Sequence, residues 1–162
     1  MDEKLEKLDA KCLLRSVIIR RATVSDAVPF LKLEAECFEM KFVDAALYYW
    51  RPIIDYCYAF KAVFERKIVG GIIAIPTRQG QIYINSLFVQ GNFRNLGIAT
   101  SLLKRISSIT CEKGFILDVK TKKEYLISFY KKRGFKAIRR ESNYYLDGTT
   151  RIIMKRPSNF KD

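Results

Sequence analysis

The sequence predicts an α/β domain built on one mixed central sheet of six to seven strands, with helices on both of its faces. Three observations lead there. Apolar, β-branched runs separated by tight turns fill residues 58–89. A strongly periodic amphipathic segment follows at residues 97–112, and beyond it strand-like and helix-like segments alternate, with a glycine stopping each helix. At 162 residues, 49% of them hydrophobic, the chain has the size of one ordinary domain and the material for a core. We read residues 1–162 as a single domain, with residues 1–15 as a short charged N-terminal extension.

The elements follow in order. Residues 2–14 have a charged helical pattern, and residues 16–21 (SVIIRR) read as a strand. Thr23 or Ser25 then caps a helix whose first turn favours the negative charge of Asp26. Val28, Leu31, Leu33, Ala35 and Phe38 continue it, and an aromatic-rich helical stretch covers residues 43–54. Residues 58–65, 68–75 and 81–89 are strands, joined by turns at Arg66-Lys67 and at residues 77–80 (TRQG). After a loop at residues 90–96, the helix at 97–112 gathers Ile98, Leu102, Leu103, Ile106 and Ile109 on one face, and Gly114 stops it. Residues 115–119 (FILDV) make a buried strand and residues 123–133 a helix ended by Gly134. Residues 135–139 and 144–154 supply the last two strands.

Composition excludes much chemistry. The chain has no histidine, which removes Ser-His-Asp triads, Cys-His pairs, the HExxH zinc site and any imidazole base. Thirty Lys and Arg against 17 Asp and Glu give a net charge of +13, which attracts anionic partners. The cysteines, Cys12, Cys37, Cys57 and Cys111, form no CxxC pair and read as free, mostly buried thiols, so no metal site is expected. The start, MDEKLEKLDAK, has no apolar stretch of signal-peptide type, and the apolar run at 68–75 is too short to span a bilayer. A cytoplasmic location without membrane attachment is the expectation.

The most informative segment is residues 86–103, SLFVQGNFRNLGIATSLL. A hydrophobic strand enters a polar, glycine-bearing loop, and the loop opens an amphipathic helix. A helix start presents unpaired N–H groups and the positive end of the dipole, which suit a phosphate. Gly97 and Ala99 leave room for close approach, Arg94 adds charge, and Thr100 adds a hydroxyl. The Gly-Lys-Ser/Thr of a Walker A loop is missing.

Downstream, residues 129–135 read FYKKRGF. The pairing of RxxGxA with that segment resembles the GNAT superfamily of acetyl-CoA-dependent N-acetyltransferases, over about residues 17–154. The resemblance implies the GNAT fold, with acetyl-CoA lying where two central parallel strands splay apart. Backbone groups of Leu87, Phe88 and Val89 would then hold the pantetheine arm and the thioester carbonyl. The loop of Arg94, Asn95, Leu96, Gly97, Ile98, Ala99 and Thr100 would hold the pyrophosphate. Tyr130 falls at the family's general acid, which protonates the departing CoA thiolate, and a phenol with a reference pKa near 10 keeps its proton at pH 7. Where the family commonly has Asn seven residues before this tyrosine and Ala four before it, this chain has Lys123 and Leu126. Lys123 is expected to reach a phosphate instead.

A finer resemblance concerns the acceptor. Residues 19–23 (IRRAT), 33–38 (LEAECF), 117–120 (LDVK) and 143–148 (NYYLDG) look like the N-terminal protein acetyltransferases, above all the ribosomal-protein alanine acetyltransferases and their archaeal counterparts. That group often has a Glu where Asp118 stands, helping to deprotonate the amine directly or through water. Tyr144 and Tyr145 match a Tyr-Tyr pair that flanks the acceptor peptide, and Glu36, with Glu34, is a reserve base and substrate contact. An α-amine with a reference pKa near 8 is about a tenth neutral at pH 7, whereas a lysine amine is less than about a thousandth neutral. A site without histidine suits the easier amine. The expected partners are acetyl-CoA and a protein or peptide N-terminus, with ribosome association drawing on the positive charge, and the chain acts as a monomer or homodimer. The alternatives are acetylation of a protein lysine or of a small amine such as a polyamine or an antibiotic. From another class comes a basic nucleic-acid- or ribosome-binding module, ranked lower because no nucleic-acid recognition fold is evident.

Overall fold

The computed structural model describes residues 10–40, 46–109 and 114–158. Its helices are α1 (Ala10–Ser16), α2 (Ala27–Cys37), α3 (Leu47–Tyr56), α4 (Ile98–Ile109) and α5 (Glu124–Lys131). The strands are β1 (Ile18–Arg21), β2 (Tyr58–Phe64), β3 (Lys67–Pro76), β4 (Ile82–Val89), β5 (Phe115–Lys120), β6 (Lys136–Glu141) and β7 (Arg151–Arg156). They form one seven-stranded mixed sheet in the order β1-β2-β3-β4-β5-β7-β6, so the α/β expectation holds. The parallel ladder of β4 and β5 comprises Ile82 with Phe115 and Tyr83 with Ile116. The chain divides into two compact units, residues 1–75 with 85–108 and residues 76–84 with 109–162.

In the first unit, β1, β2 and β3 pair antiparallel. The β2–β3 turn falls at Glu65-Arg66, one residue earlier than the sequence suggested. Both residues have positive φ (44° and 69°), and Phe64 pairs with Lys67, so the hairpin closes through the two-residue turn that matches strand twist. Thr23 precedes a short 3-10 turn over Val24–Asp26 that leads into α2. Asp26 accepts the Thr23 backbone N–H at 2.9 Å and the Lys61 ammonium at 2.5 Å. Burial pushes this carboxyl up, but the bonds from Lys61 and Thr23 outweigh it and hold it below its ordinary value. Ala27, Phe30, Leu31 and Leu33 from α2 enter a core with Ile54, Ala59, Ile73 and Phe88. The helical period of α4 buries Ile98, Leu102, Leu103 and Ile106.

In the second unit, strand alternation sorts the residues. Phe115, Leu117 and Val119 of β5 are buried, while Ile116, Asp118 and Lys120 alternate with them on the partly open side. Ile152 and Met154 are buried on β7, and the buried Arg156 guanidinium lies over the Phe115 ring at 4.7 Å and the Phe135 ring at 5.3 Å. Gly114, at φ +79°, sits where a β-carbon would press on Pro157 backbone, so only glycine fits between the preceding segment and β5.

Two expectations change. The last strand begins at Arg151, not at residue 144, because residues 143–149 fold into a turn. Asn143 and Gly148 take positive φ, Asp147 Oδ1 accepts the Thr149 N–H at 3.0 Å, and the Tyr145 carbonyl accepts the Gly148 N–H at 2.8 Å. Of the cysteines, Cys12 is exposed and Cys37 and Cys57 are half-buried, while Cys111 lies outside the described residues, as do residues 2–9, 43–45 and 110–112 of the expected helices.

Gly71 tests the packing of the first unit. A β-carbon there would lie 2.7 Å from Phe88 Cζ and closer still to the Phe30 ring, and both phenylalanines are buried. Gly71→Ala should cost about 1–3 kcal/mol in urea unfolding. Gly91→Ala, with nothing within 4 Å of the new carbon, should stay within about 0.5 kcal/mol of wild type.

Candidate functional site

In the second unit, a carboxylate stands among phenols. Asp118 Oδ1 accepts the Tyr83 hydroxyl at 2.6 Å and Oδ2 accepts the Tyr145 hydroxyl at 2.7 Å, with Arg151 Nη1 3.9 Å from Oδ1. The register explains the meeting. Tyr83 pairs with Ile116, two residues before Asp118 and on the same side of β5, and Asp118 pairs with Ile153, two residues after Arg151. Tyr145 arrives from the 143–149 turn. Burial first, and Asp118 second, raise the Tyr83 and Tyr145 phenols above their ordinary value.

Cations hold that turn. Arg151 donates to Glu141 Oε2 through Nη2 at 2.7 Å and Nε at 3.0 Å, and its guanidinium lies 3.6 Å over the Tyr144 ring. Lys120 sits 4.6 Å over the Tyr145 ring and 3.2 Å from Asp147. Hydrogen bonds from Thr149, joined by Lys120, lower Asp147 to about 2. Tyr144 and Tyr145 meet edge to face at 5.2 Å.

Tyr130, on α5, is 6% exposed and packs edge-on against Phe129 and Phe135. Burial raises its phenol, with Arg133 opposing and Asp118 adding to the rise. Its carbonyl accepts the N–H groups of Arg133 and Phe135, which closes the helix into the left-handed Gly134 (φ +79°). Lys123, at the N-terminal boundary of the same helix, is half-buried.

In the first unit, the loop after β4 turns through Asn95 at φ +62° and Gly97 at φ +88° before α4 begins at Ile98. Arg94 and Asn95 are exposed, Leu96, Ala99 and Thr100 are half-buried, and Ile98 is buried. Arg94 Nε donates to the Val89 carbonyl at 3.1 Å. Leu87 and Val89 are half-buried and Phe88 is 3% exposed, edge-on to Phe30 at 4.9 Å. The two reserve carboxylates separate: Glu36 is exposed, whereas Glu34 is 6% exposed and is raised by burial against the opposing Ser86 hydroxyl. Beside Arg94, burial pushes the Cys37 thiol up while that arginine draws it down.

The sequence reading missed Tyr83. Its place in a strand was legible, but its partner depended on the β4–β5 register, which no local pattern supplies. Among the described residues no cluster of His, Cys, Asp and Glu could hold a metal, and no helix is long and apolar enough to cross a membrane.

The fold recurs in solved structures. The ribosomal-protein-S18-alanine N-acetyltransferase of Escherichia coli superposes with a TM-score of 0.78 at 16% identity, over 90% of this chain and 96% of that one. Arabidopsis thaliana Naa50, solved in complex with the bisubstrate analogue CoA-Ac-MVNAL, gives 0.71 at 24% identity, over 86% and 98%. The acetyltransferase (GNAT) domain model matches residues 23–157, and the chain belongs to that family. An N-alpha-acetyltransferase of Sulfurisphaera tokodaii is 31% identical over 87 residues, 51% of this chain. That match spans about half, 52%, of the relative's own length.

Three raised phenols set an alkaline limit. Tyr83, Tyr130 and Tyr145 keep their protons in the folded chain above the ordinary phenol value of 10.0. Above pH 10 the unfolded chain releases those protons first, so stability is complete below that pH and falls as pH rises toward the folded-state values. The urea midpoint should drop between pH 9 and 11.5, and less steeply in the Tyr83→Phe/Tyr145→Phe variant; equal slopes would refute the assignment.

Proposed function

We propose that the chain transfers the acetyl group of acetyl-CoA to a primary amine, the α-amine of a protein N-terminus, by direct attack in a ternary complex. The observation that carries the reading is Asp118 between two phenols, a histidine-free proton acceptor on the partly open side of β5. Membership of the acetyltransferase family supports the reaction class, and the similarity to an N-alpha-acetyltransferase supports the α-amine.

The first unit offers a fitting cradle for the donor. Gly97 at φ +88° supplies a left-handed turn just before α4, the positive end of the helix dipole favours an anion there, and Arg94 adds charge. Arg94, Asn95, Leu96, Gly97, Ile98, Ala99 and Thr100 hold the pyrophosphate, Lys123 contributes to phosphate binding, and backbone groups of Leu87, Phe88 and Val89 hold the pantetheine arm. Acetyl-CoA supplies an activated acyl group. A bond forms from the amine nitrogen to the carbonyl carbon, the carbon–sulfur bond breaks, the nitrogen loses one proton and the sulfur gains one.

Asp118 receives the amine proton. Because both of its oxygens are occupied by phenols, the proton passes through a hydroxyl, with Tyr83 or Tyr145 taking it as its own proton moves to the carboxylate. Tyr130 serves the sulfur. Its raised phenol stays protonated at neutral pH, well above a thiol near 8.5, so it stabilises the developing thiolate by donating a hydrogen bond before the proton is shared. Tyr144 and Tyr145 flank the acceptor peptide. The surplus positive charge suits a ribosomal neighbourhood.

Tyr130→Phe should lower kcat by about 10²-fold or more with acetyl-CoA affinity within about twofold; unchanged turnover removes the acid role. For the acceptor, thiol release should be followed with free-N-terminus peptides, N-blocked lysine peptides and polyamines. Turnover with the free N-termini is expected, and acetylation confined to blocked lysine peptides or polyamines would overturn the assignment.

A further inference from the structure

Helix α1 lies ahead of the segment that the family model matches, which begins at residue 23, yet it reaches the loop that opens α4. Leu13 is 4% exposed while Cys12, Arg15 and Ser16 face solvent, so one side of this short helix is committed to the interior. Leu14 goes to Gly97. A β-carbon built on Gly97 would sit 3.3 Å from Leu14 Cδ2 and 3.9 Å from Cδ1. The Leu14 carbonyl in turn accepts the Val17 N–H at 3.2 Å, and Ser16 Oγ donates to the Cys12 carbonyl at 3.1 Å, which fastens the end of α1 before β1 begins.

The loop needs an outside support. Asn95 at φ +62° and Gly97 at φ +88° put two left-handed residues within three positions, one of them not glycine. Such backbone persists where the surroundings over-determine it. Arg94 reaches the Val89 carbonyl, the Gly97 carbonyl accepts Ser101 N–H at 3.0 Å, and Arg94, Asn95 and Gly97 are all exposed. The buried Phe93 and Ile98 pin the two ends, and Leu14 Cδ2 lies 3.3 Å from the β-carbon position of Gly97 in the turn between them.

We propose that Leu14 is a positioning residue for acetyl-CoA binding: α1 braces the Gly97 turn and keeps the N–H groups at the start of α4 in the arrangement that a pyrophosphate takes. The proposal rests on the function proposed above. Its energetic content is a population. A loop that samples other backbone states binds with an affinity reduced by the fraction of time spent in the competent one.

The test uses the full chain as wild type, Leu14→Ala and Leu14→Met. Amide exchange across residues 95–101 is measured without ligand, acetyl-CoA binding by calorimetry, and kcat and KM with the best acceptor peptide. In Leu14→Ala the loop amides should exchange about fivefold faster, and the Kd and KM for acetyl-CoA should rise about fivefold with kcat within about twofold. Leu14→Met, which refills the space, should restore most of both. Loop exchange that is the same in all three proteins overturns the brace, whatever the donor proves to be. Faster exchange with unchanged or tighter acetyl-CoA binding overturns the role of Leu14 in the site. A wild-type chain that binds no acetyl-CoA instead overturns the function proposed above and, with it, the binding role, while the exchange rates still decide whether α1 holds the loop.

Discussion

A carboxylate whose side chain keeps only 12% of its exposure has lost most of its water, and something must replace it. At Asp118 the replacement is two phenolic hydroxyls and a guanidinium, drawn from three places in the chain: β4, β7 and the 143–149 turn. Each would bring little by itself. Together they oblige the second unit to close around β5 in one register, since a slip of one residue on either side would turn Asp118 toward the apolar face and strand the phenols. The geometry that stabilises the carboxylate also lines up oxygen, proton and oxygen, which is what proton transfer requires.

Charge is distributed to match. The second unit holds 15 of the 30 lysines and arginines but only 6 of the 17 acids. Around the site those acids are engaged: Glu141 by Arg151 and Arg139, Asp147 by Lys120, Asp118 by its phenols and Arg151. Arg151 and Lys120 also press on the tyrosine rings, so the same cations that balance the carboxylates fix the turn that bears Tyr144 and Tyr145. With no histidine in the chain, the site has no imidazole to change charge near neutrality.

The order and type of the elements were legible because they depend on local signals. Period-3.6 apolar residues marked α4, a short apolar run marked β5, and Gly134 takes the left-handed backbone that closes α5. The Asn143-Tyr-Tyr-Leu-Asp-Gly148 segment misled, since its aromatics resemble a strand while its Asn, Asp and Gly build a turn. The loop at 94–100, Tyr130 and Asp118 were singled out by their resemblance to family motifs. Tyr83 and Arg151 were beyond reach for one reason: their role follows from register between strands distant in sequence, and register is a property of the assembled sheet. Glu34 was named as a reserve base, but its burial was not legible for a similar reason. One turn of α2 decides whether a glutamate meets solvent or a core, and its neighbour Ser86 lies 52 positions along the chain.

The last strand in the sheet order has its own consequence. β6 stands at one end of the sheet, and Lys136, Ala137, Ile138, Arg139 and Arg140 along it are all exposed. An open edge invites another strand to add, and a row of cations there makes two copies repel before their backbones can pair. That guard is electrostatic, so it extends only about 10 Å at 0.1 M ionic strength and shortens as salt increases. Solubility of this chain is therefore a property of its medium as much as of its fold, and a polyanion that neutralises β6 would expose the edge it covers to self-association.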